Sequence, residues 1–211
     1  MPLVPRRLGQ PAEGLAQLEG EIEADIRWHA FELNPDMAPE GEERTAHIAR
    51  KYGTTTEQSK AVQGRMREAA ENAGVSLDYE GDDPEPTGMM WNTFAAHKLL
   101  TWAGEEHGPQ RQTALKLALF RAHFNHRRAL GDDAVLLDIA EEEGFDRTAA
   151  RGALASEELA HKVRAEERAA WDLNITGVPA MVVENKFMIP GAQPAEAYAD
   201  ALRRVAEKTA A

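Results

Sequence analysis

Catalysis needs nucleophiles and titratable side chains in workable spacing, and the first finding among these 211 residues is an absence: there is no cysteine. Disulfides, thiolate nucleophiles and cysteine-ligated metals are therefore outside the repertoire of this sequence. Its serines are Ser59, Ser76 and Ser156, all within a long block of helical character. His123 and His126 stand at i, i+3 on one expected helix and His97 lies on another, a spacing that suits a metal face. No acid or further histidine is spaced to complete that face, and Arg127 and Arg128 would repel a cation, so no metal site is expected. Glu141, Glu142 and Glu143 read as a solvated helix end, and Asp82, Asp83, Glu105 and Glu106 as surface charge. No two carboxylates are placed for general acid–base work. The residues thus nominate no catalytic group.

Composition narrows the classes further. With 24 basic against 36 acidic residues, the net charge is −12, which opposes binding to a phosphate backbone. No apolar run approaches the roughly 20 residues needed to span a bilayer. The opening "MPLVPRRLGQ" carries charge but no following apolar block of signal-peptide kind. The expected setting is the cytoplasm, with no nucleic-acid or membrane partner, and the length is ample for a buried core.

The elements that would position a site come in an unusual order. Residues 22–31, "IEADIRWHAF", alternate Ile22, Ala24, Ile26, Trp28 and Ala30 against Glu23, Asp25, Arg27 and His29, the period-two pattern of a strand. From Glu42 to about Leu173 the chain is rich in Ala, Leu, Glu, Arg and Gln with helix punctuation. Thr54 to Gln58 contains a capping box for a helix ending near Gly74. "EGDDPEPTG" (80–88) reads as a surface loop. Asn92 or Thr93 can cap the helix carrying Phe94, Leu99, Leu100 and Trp102. Further helices fit 109–129, 132–143, 146–154 and 156–172. Trp28, Trp91, Trp102 and Trp171 are read as core. After Gly177 the period changes again. "AMVVE" and "KFMI" are short and strand-compatible, with Glu184, Asn185 and Lys186 at the corner. Pro194 opens a last helix whose Tyr198, Leu202 and Val205 form one apolar stripe.

A strand, a long helical block, then a hairpin and a helix describe an α/β fold in which a thioredoxin-like sheet is interrupted by a large all-helical insertion. The thioredoxin-like part would be 1–35 with 174–211, and the insertion 36–173. "RWHAFELNPDMAPEG" (27–41), "MWNTFAAHKLL" (90–100), "ALKLALFRAHF" (114–124) and "GVPAMVVENKFMIPGAQP" (177–194) together resemble the DsbA-like thioredoxin superfamily. Within it the chain looks like the FrnE-type branch, related to 2-hydroxychromene-2-carboxylate isomerases and kappa-class glutathione transferases.

The resemblance implies a site at Val178-Pro179, with proline in the cis form and the preceding backbone free to pair with an extended substrate. An X-Pro bond reaches the cis form far more cheaply than other peptide bonds. An ordinary trans turn is the plainer alternative for Pro179. Asn92 and His97 would join Val178 and Pro179 in binding substrate, against the simpler roles of helix cap for Asn92 and capping or packing for His97. The substrate implied is a thiol or disulfide peptide, or glutathione as substrate or co-substrate, with no resident cofactor; the resemblance also admits a homodimer.

The family's Cys-Pro-x-Cys motif and first strand should precede Arg6-Arg7-Leu8, and the chain has neither. The isomerase branch places a serine in the same region. Three readings follow: a redox family member that is inactive without cysteine, a glutathione-dependent isomerase or transferase, and a non-catalytic binding module. In a thioredoxin-like sheet the first strand is central, so the strand 22–31 should lack its neighbour, and each unpaired buried backbone group costs on the order of 1–3 kcal/mol. A longer native N-terminus carrying two cysteines is one expected remedy. Leu3-Val4, a partner chain or a rearranged sheet would be the others.

Overall fold

The structure, a computed structural model, describes residues 10–209. The sequence features expected at Leu3-Val4 and at Arg6-Arg7-Leu8 lie outside the described residues. Thirteen elements follow in order: α1 (Gln10–Ala16), β1 (Glu42–Glu43), α2 (Arg44–Tyr52), α3 (Thr56–Asn72), β2 (Met89–Met90), α4 (Phe94–His107), α5 (Pro109–Phe124), α6 (Asp133–Glu142), α7 (Arg147–Ala155), α8 (Glu157–Asp172), β3 (Ala180–Val183), β4 (Phe187–Pro190) and α9 (Ala195–Thr209). Among the described residues no helix is long and apolar enough to cross a membrane.

The helices begin where their caps allow. Thr55 and Gln58 form the reciprocal capping box of α3, each side chain bonding the other's backbone N–H. Asp132, Asp146 and Ser156 cap α6, α7 and α8 by accepting from Ala134, Ala149 and Leu159. These caps satisfy N–H groups that have no partner inside their own helix. The helix expected over 109–129 stops at Phe124. There Asn125 turns its side chain to donate to the carbonyls of Ser76 and Asp78, and Arg127 takes a left-handed φ of 52°.

Two apolar clusters organise the chain. Leu99, Leu115, Leu136 and Ile139 are essentially inaccessible at the centre of the bundle formed by α4 to α8. Burying each such side chain is worth about 1.5–3 kcal/mol. Leu15, Leu18, Ala199 and Leu202 form the second cluster, with Ile22, Ile26 and Val183 packed against it. Helix α1 reaches α9 through Gly14, where a Cβ would stand 2.7 Å from the Ala195 carbonyl oxygen and 2.8 Å from the Tyr198 Cβ. Only a residue without a side chain permits that approach.

The strands differ from expectation. β3 and β4 pair antiparallel with Val182 opposite Met188. Their corner holds Glu184 and Asn185 both at φ 52°, with Lys186 N–H donating to Val183 O at 3.1 Å. Two successive left-handed residues are what the right-handed twist of a tight hairpin demands. A second, two-residue ladder joins β1 to β2; it is too short to leave a periodic trace in sequence.

Residues 22–31, expected as a strand of the same sheet as 180–189, form no strand. Their alternation is nonetheless largely physical, because Ile22, Ile26, Trp28 and Ala30 are partly or wholly buried while Glu23, Asp25, Arg27 and His29 are exposed; Ala24, expected inward, is exposed as well. What is missing is a ladder partner. Side chains from the bundle substitute: Gln112 accepts from Trp28 N–H at 3.0 Å and donates to Trp28 O at 2.8 Å, and Glu166 accepts from Ala30 N–H at 2.7 Å. The architecture is an α/β body with a large helical insertion, in which the hairpin and the 22–31 segment share a core without sharing a sheet.

Candidate functional site

The turn into β3 has the most open chemistry. The Val178–Pro179 peptide bond is cis, the form the resemblance implied. The Pro179 carbonyl accepts from Gly191 N–H at 2.9 Å, which ties the turn to the end of β4. Tyr198, buried on α9, donates to Gly191 O at 3.2 Å and accepts from Gln193 N–H at 3.3 Å, so the exit from β4 is anchored as well. Immediately before this anchored stretch, Val178 is 54 % exposed. Neither its N–H nor its C=O makes a hydrogen bond among the described residues. Toward the corner of the hairpin, Val182 and Met188 are exposed and, with Leu173, Asn185, Lys186 and Phe187, line a separate recess enclosing about 480 Å³ of empty space, part of it open to solvent.

Asn92 and His97 sit at the other end of the argument. Asn92 precedes α4, accepts from Phe94 N–H at 3.0 Å and donates to Met37 O at 2.8 Å. Its amide therefore joins the start of α4 to the loop before β1. His97, one turn into α4, makes no side-chain hydrogen bond among the described residues. Burial, opposed by the charges of Glu167 and Glu166, holds its pKa down at about 4, so the imidazole is neutral at pH 7. No hydrogen bond or ion pair among the described residues joins Val178 or Pro179 to Asn92 or His97.

The profile of the DSBA-like thioredoxin domain matches residues 11–203. The chain belongs to that family. Among solved structures it is similar to a probable DsbA oxidoreductase from Streptomyces coelicolor, 29% identical with a TM-score of 0.81, over 97% of this chain and 85% of that one. It shares its fold, at 16% identity and a TM-score of 0.62, with a 2-hydroxychromene-2-carboxylate isomerase, covering 98% of this chain and 94% of that one. A curated relative, the uncharacterized protein YwbO of Bacillus subtilis (strain 168), is 24% identical over 85% of this chain and 82% of its own length.

This DsbA-like chain also holds a buried charge cluster that the sequence did not flag. The Glu32 side chain is only 1% exposed. Arg164 Nη1 donates to Glu32 at 2.5 Å and to Glu167 at 2.7 Å, and each carboxylate keeps a buried Oε1 without a partner among the described residues. Burial raises the Glu32 pKa to about 7, against the pull of Arg164 and with added push from Glu167. Nearby, Glu166 accepts from Ala30 and bonds His29 Nδ1 at 3.1 Å. Lys116 faces Trp28, its Nζ 4.0 Å from the ring centroid, and burial lowers its pKa to about 8. Acids and bases from three separate segments of sequence meet here, and the only local hint was Glu32 continuing the inward phase of the 22–31 alternation.

The remaining expectations resolve individually. Ser59 is buried and bonded to Thr54 Oγ1 at 2.9 Å, Ser76 accepts from Asp78 N–H, and Ser156 caps α8. All three serines are thus held in structural bonds. Among the described residues no group of three or more His, Asp or Glu is arranged to hold a metal ion. Glu141 and Glu142 face solvent while Glu143 is half-buried, and each pairs with an arginine: Arg147, Arg128 and Arg121. Trp102 lies in the core and Trp91 packs against it, whereas Trp171 is 53% exposed and rests on Phe31 at 5.5 Å. The reason is positional, because α8 ends one residue later and that last turn extends past the bundle.

Proposed function

We propose that this DsbA-like chain binds an extended thiol compound, a cysteine-containing peptide or glutathione, along the open backbone of Val178, and that it does so in the cytoplasm. The observation carrying this reading is the exposed Val178, whose N–H and C=O make no hydrogen bond among the described residues and whose neighbour Pro179 is tied through its carbonyl to Gly191. Unpaired backbone at a rigid position is what strand addition uses: main-chain bonds supply affinity and side-chain pockets supply selectivity. His97, neutral and without a side-chain bond, is assigned to the helical wall of the same seat. Asn92 serves it by holding the start of α4 to Met37.

The sulfur chemistry of the family is a separate matter. Thiol–disulfide exchange proceeds by attack of a thiolate on a disulfide sulfur, and none of these 211 residues supplies one. The polypeptide binds without exchanging. Two assays separate these claims. Insulin reduction by dithiothreitol should run no faster with the protein than without it, and acceleration would overturn the non-catalytic reading. Calorimetric titration with glutathione should give saturable binding at one site; no heat of binding with either glutathione or a cysteine-containing peptide would overturn the seat at Val178. Measuring the intact mass of the native protein tests the remaining expectation, that redox activity belongs to cysteines on a longer N-terminus.

A further inference from the structure

A second recess lies where β2, the start of α2 and the end of α5 meet, lined by Arg44, Gly88, Met89, Trp91, His123 and Arg127. Its polar side chains are all donors or cations. Arg127 is brought in by the left-handed turn after α5. Its guanidinium, 6% exposed, donates to Phe124 O and pairs with Glu85. Arg44 lies against Gly88, where an added Cβ would be 2.6 Å from its Nη2. The Arg44 guanidinium makes no ion pair or hydrogen bond among the described residues.

The neighbouring acids are committed elsewhere. Glu43 spends its carboxylate on Thr45 and Ala46 N–H at 2.8 and 2.7 Å, and Asp78 pairs with Arg67 at 2.8 Å. Glu43 and Glu85 act on Arg44 through space, but neither bonds its guanidinium, which leaves those donors open in a protein whose net charge is −12. The local field registers on His123: burial and the charges of Arg127 and Arg44 hold its pKa down at about 4.

We propose that this recess is a binding site for a small oxyanion, the phosphate or carboxylate group of a metabolite, seated between the guanidinium groups of Arg44 and Arg127 against the indole of Trp91. A planar guanidinium presents paired N–H donors that match an oxyanion's spacing, and a charge-assisted bond of this type is about twice as strong as a neutral one. The enclosed part of the recess is only about 10 Å³, room for little more than one water, so the oxyanion's head would rest at the open mouth with its remainder in solvent. This site is separate from the one at Val178, and either stands if the other fails.

An anion seated here reverses the field at His123, which makes that ring the reporter. Proton NMR titration of the His123 ring in the full chain, in inorganic phosphate, acetate and benzoate against sodium chloride of equal ionic strength, reads it directly. The His123 midpoint should rise by about one pH unit in at least one oxyanion and not in chloride. Arg44→Gln should abolish the rise, while Arg151→Gln, on the exposed face of α7, should leave it intact. A response to phosphate alone assigns a phosphate ligand, and a response to benzoate above acetate assigns an aromatic carboxylate against Trp91. A His123 midpoint that is the same in all four salts overturns the site, as does a rise that persists in Arg44→Gln.

Discussion

Glu32 shows how one side chain couples burial to pH. A carboxyl group whose pKa rises from 4.5 when unfolded to about 7 when folded binds its proton more tightly in the native state. Its contribution to stability is full below pH 4.5, declines as the pH rises, and is gone above about 7. Glu42 runs the other way: hydrogen bonds from Arg50 and His47 hold it at about 2, so its contribution is lost only in acid. The comparison that isolates Glu32 is Glu32→Gln, which keeps an acceptor for Arg164 and adds a permanent donor beside Glu167. Urea midpoints measured between pH 5 and 8 should fall with pH in the parent and fall less in Glu32→Gln. Parallel slopes would mean that Glu32 is already ionised across that range. Asn125 gives a prediction without charge: it is buried and its amide holds the Ser76 and Asp78 carbonyls. Asn125→Ala should cost about 1–3 kcal/mol in denaturant unfolding, the penalty of stranding buried acceptors; a loss near zero would show that water replaces the amide.

At the scale of elements, local signals and packing demands separate cleanly. The capping box of α3 was legible because Thr55 and Gln58 carry both halves of it within four residues. Thr55→Ala should lower stability by about 1 kcal/mol, measured by thermal or urea unfolding, and an unchanged midpoint would mean that α3 unfolds independently of the rest. Gly14 carried no such signal, since nothing near it in sequence shows that α9 will cross there. Gly14→Val should cost about 1–3 kcal/mol or displace α1, because the added atoms collide with the Ala195 carbonyl and the Tyr198 side chain. The segment 22–31 lies between these cases. Its alternation placed Ile22, Ile26, Trp28 and Ala30 inward correctly but Ala24, which is exposed, wrongly, and a strand also needs a neighbour, which is not a property of ten residues. Gln112 and Glu166 fill part of that role from more than eighty residues away, where no periodicity could have pointed to them.

For the whole molecule, the order of elements was the most informative feature of the sequence. A period of two, a long helical block and a second period of two predict a sheet-bearing body with a helical insertion, and the DsbA-like fold has that arrangement. Site residues were less legible. The turn before β3 was legible because proline and the hairpin corner announce it, the cis form at Pro179 came from the family resemblance, and the Asn92 cap has a local signature. The Glu32, Arg164 and Glu167 cluster and the Arg44 and Arg127 recess could not, since each is assembled by tertiary packing alone.

The central claim is that the backbone at Val178 receives an extended thiol ligand, and amide chemical shifts locate such a ligand directly. Titrating the isotopically labelled full chain with glutathione, and separately with a cysteine-containing peptide, should produce saturable shifts that are largest at the Gly177, Val178 and Ala180 amides. Shifts that cluster on the helical bundle while those three amides stay still would contradict it.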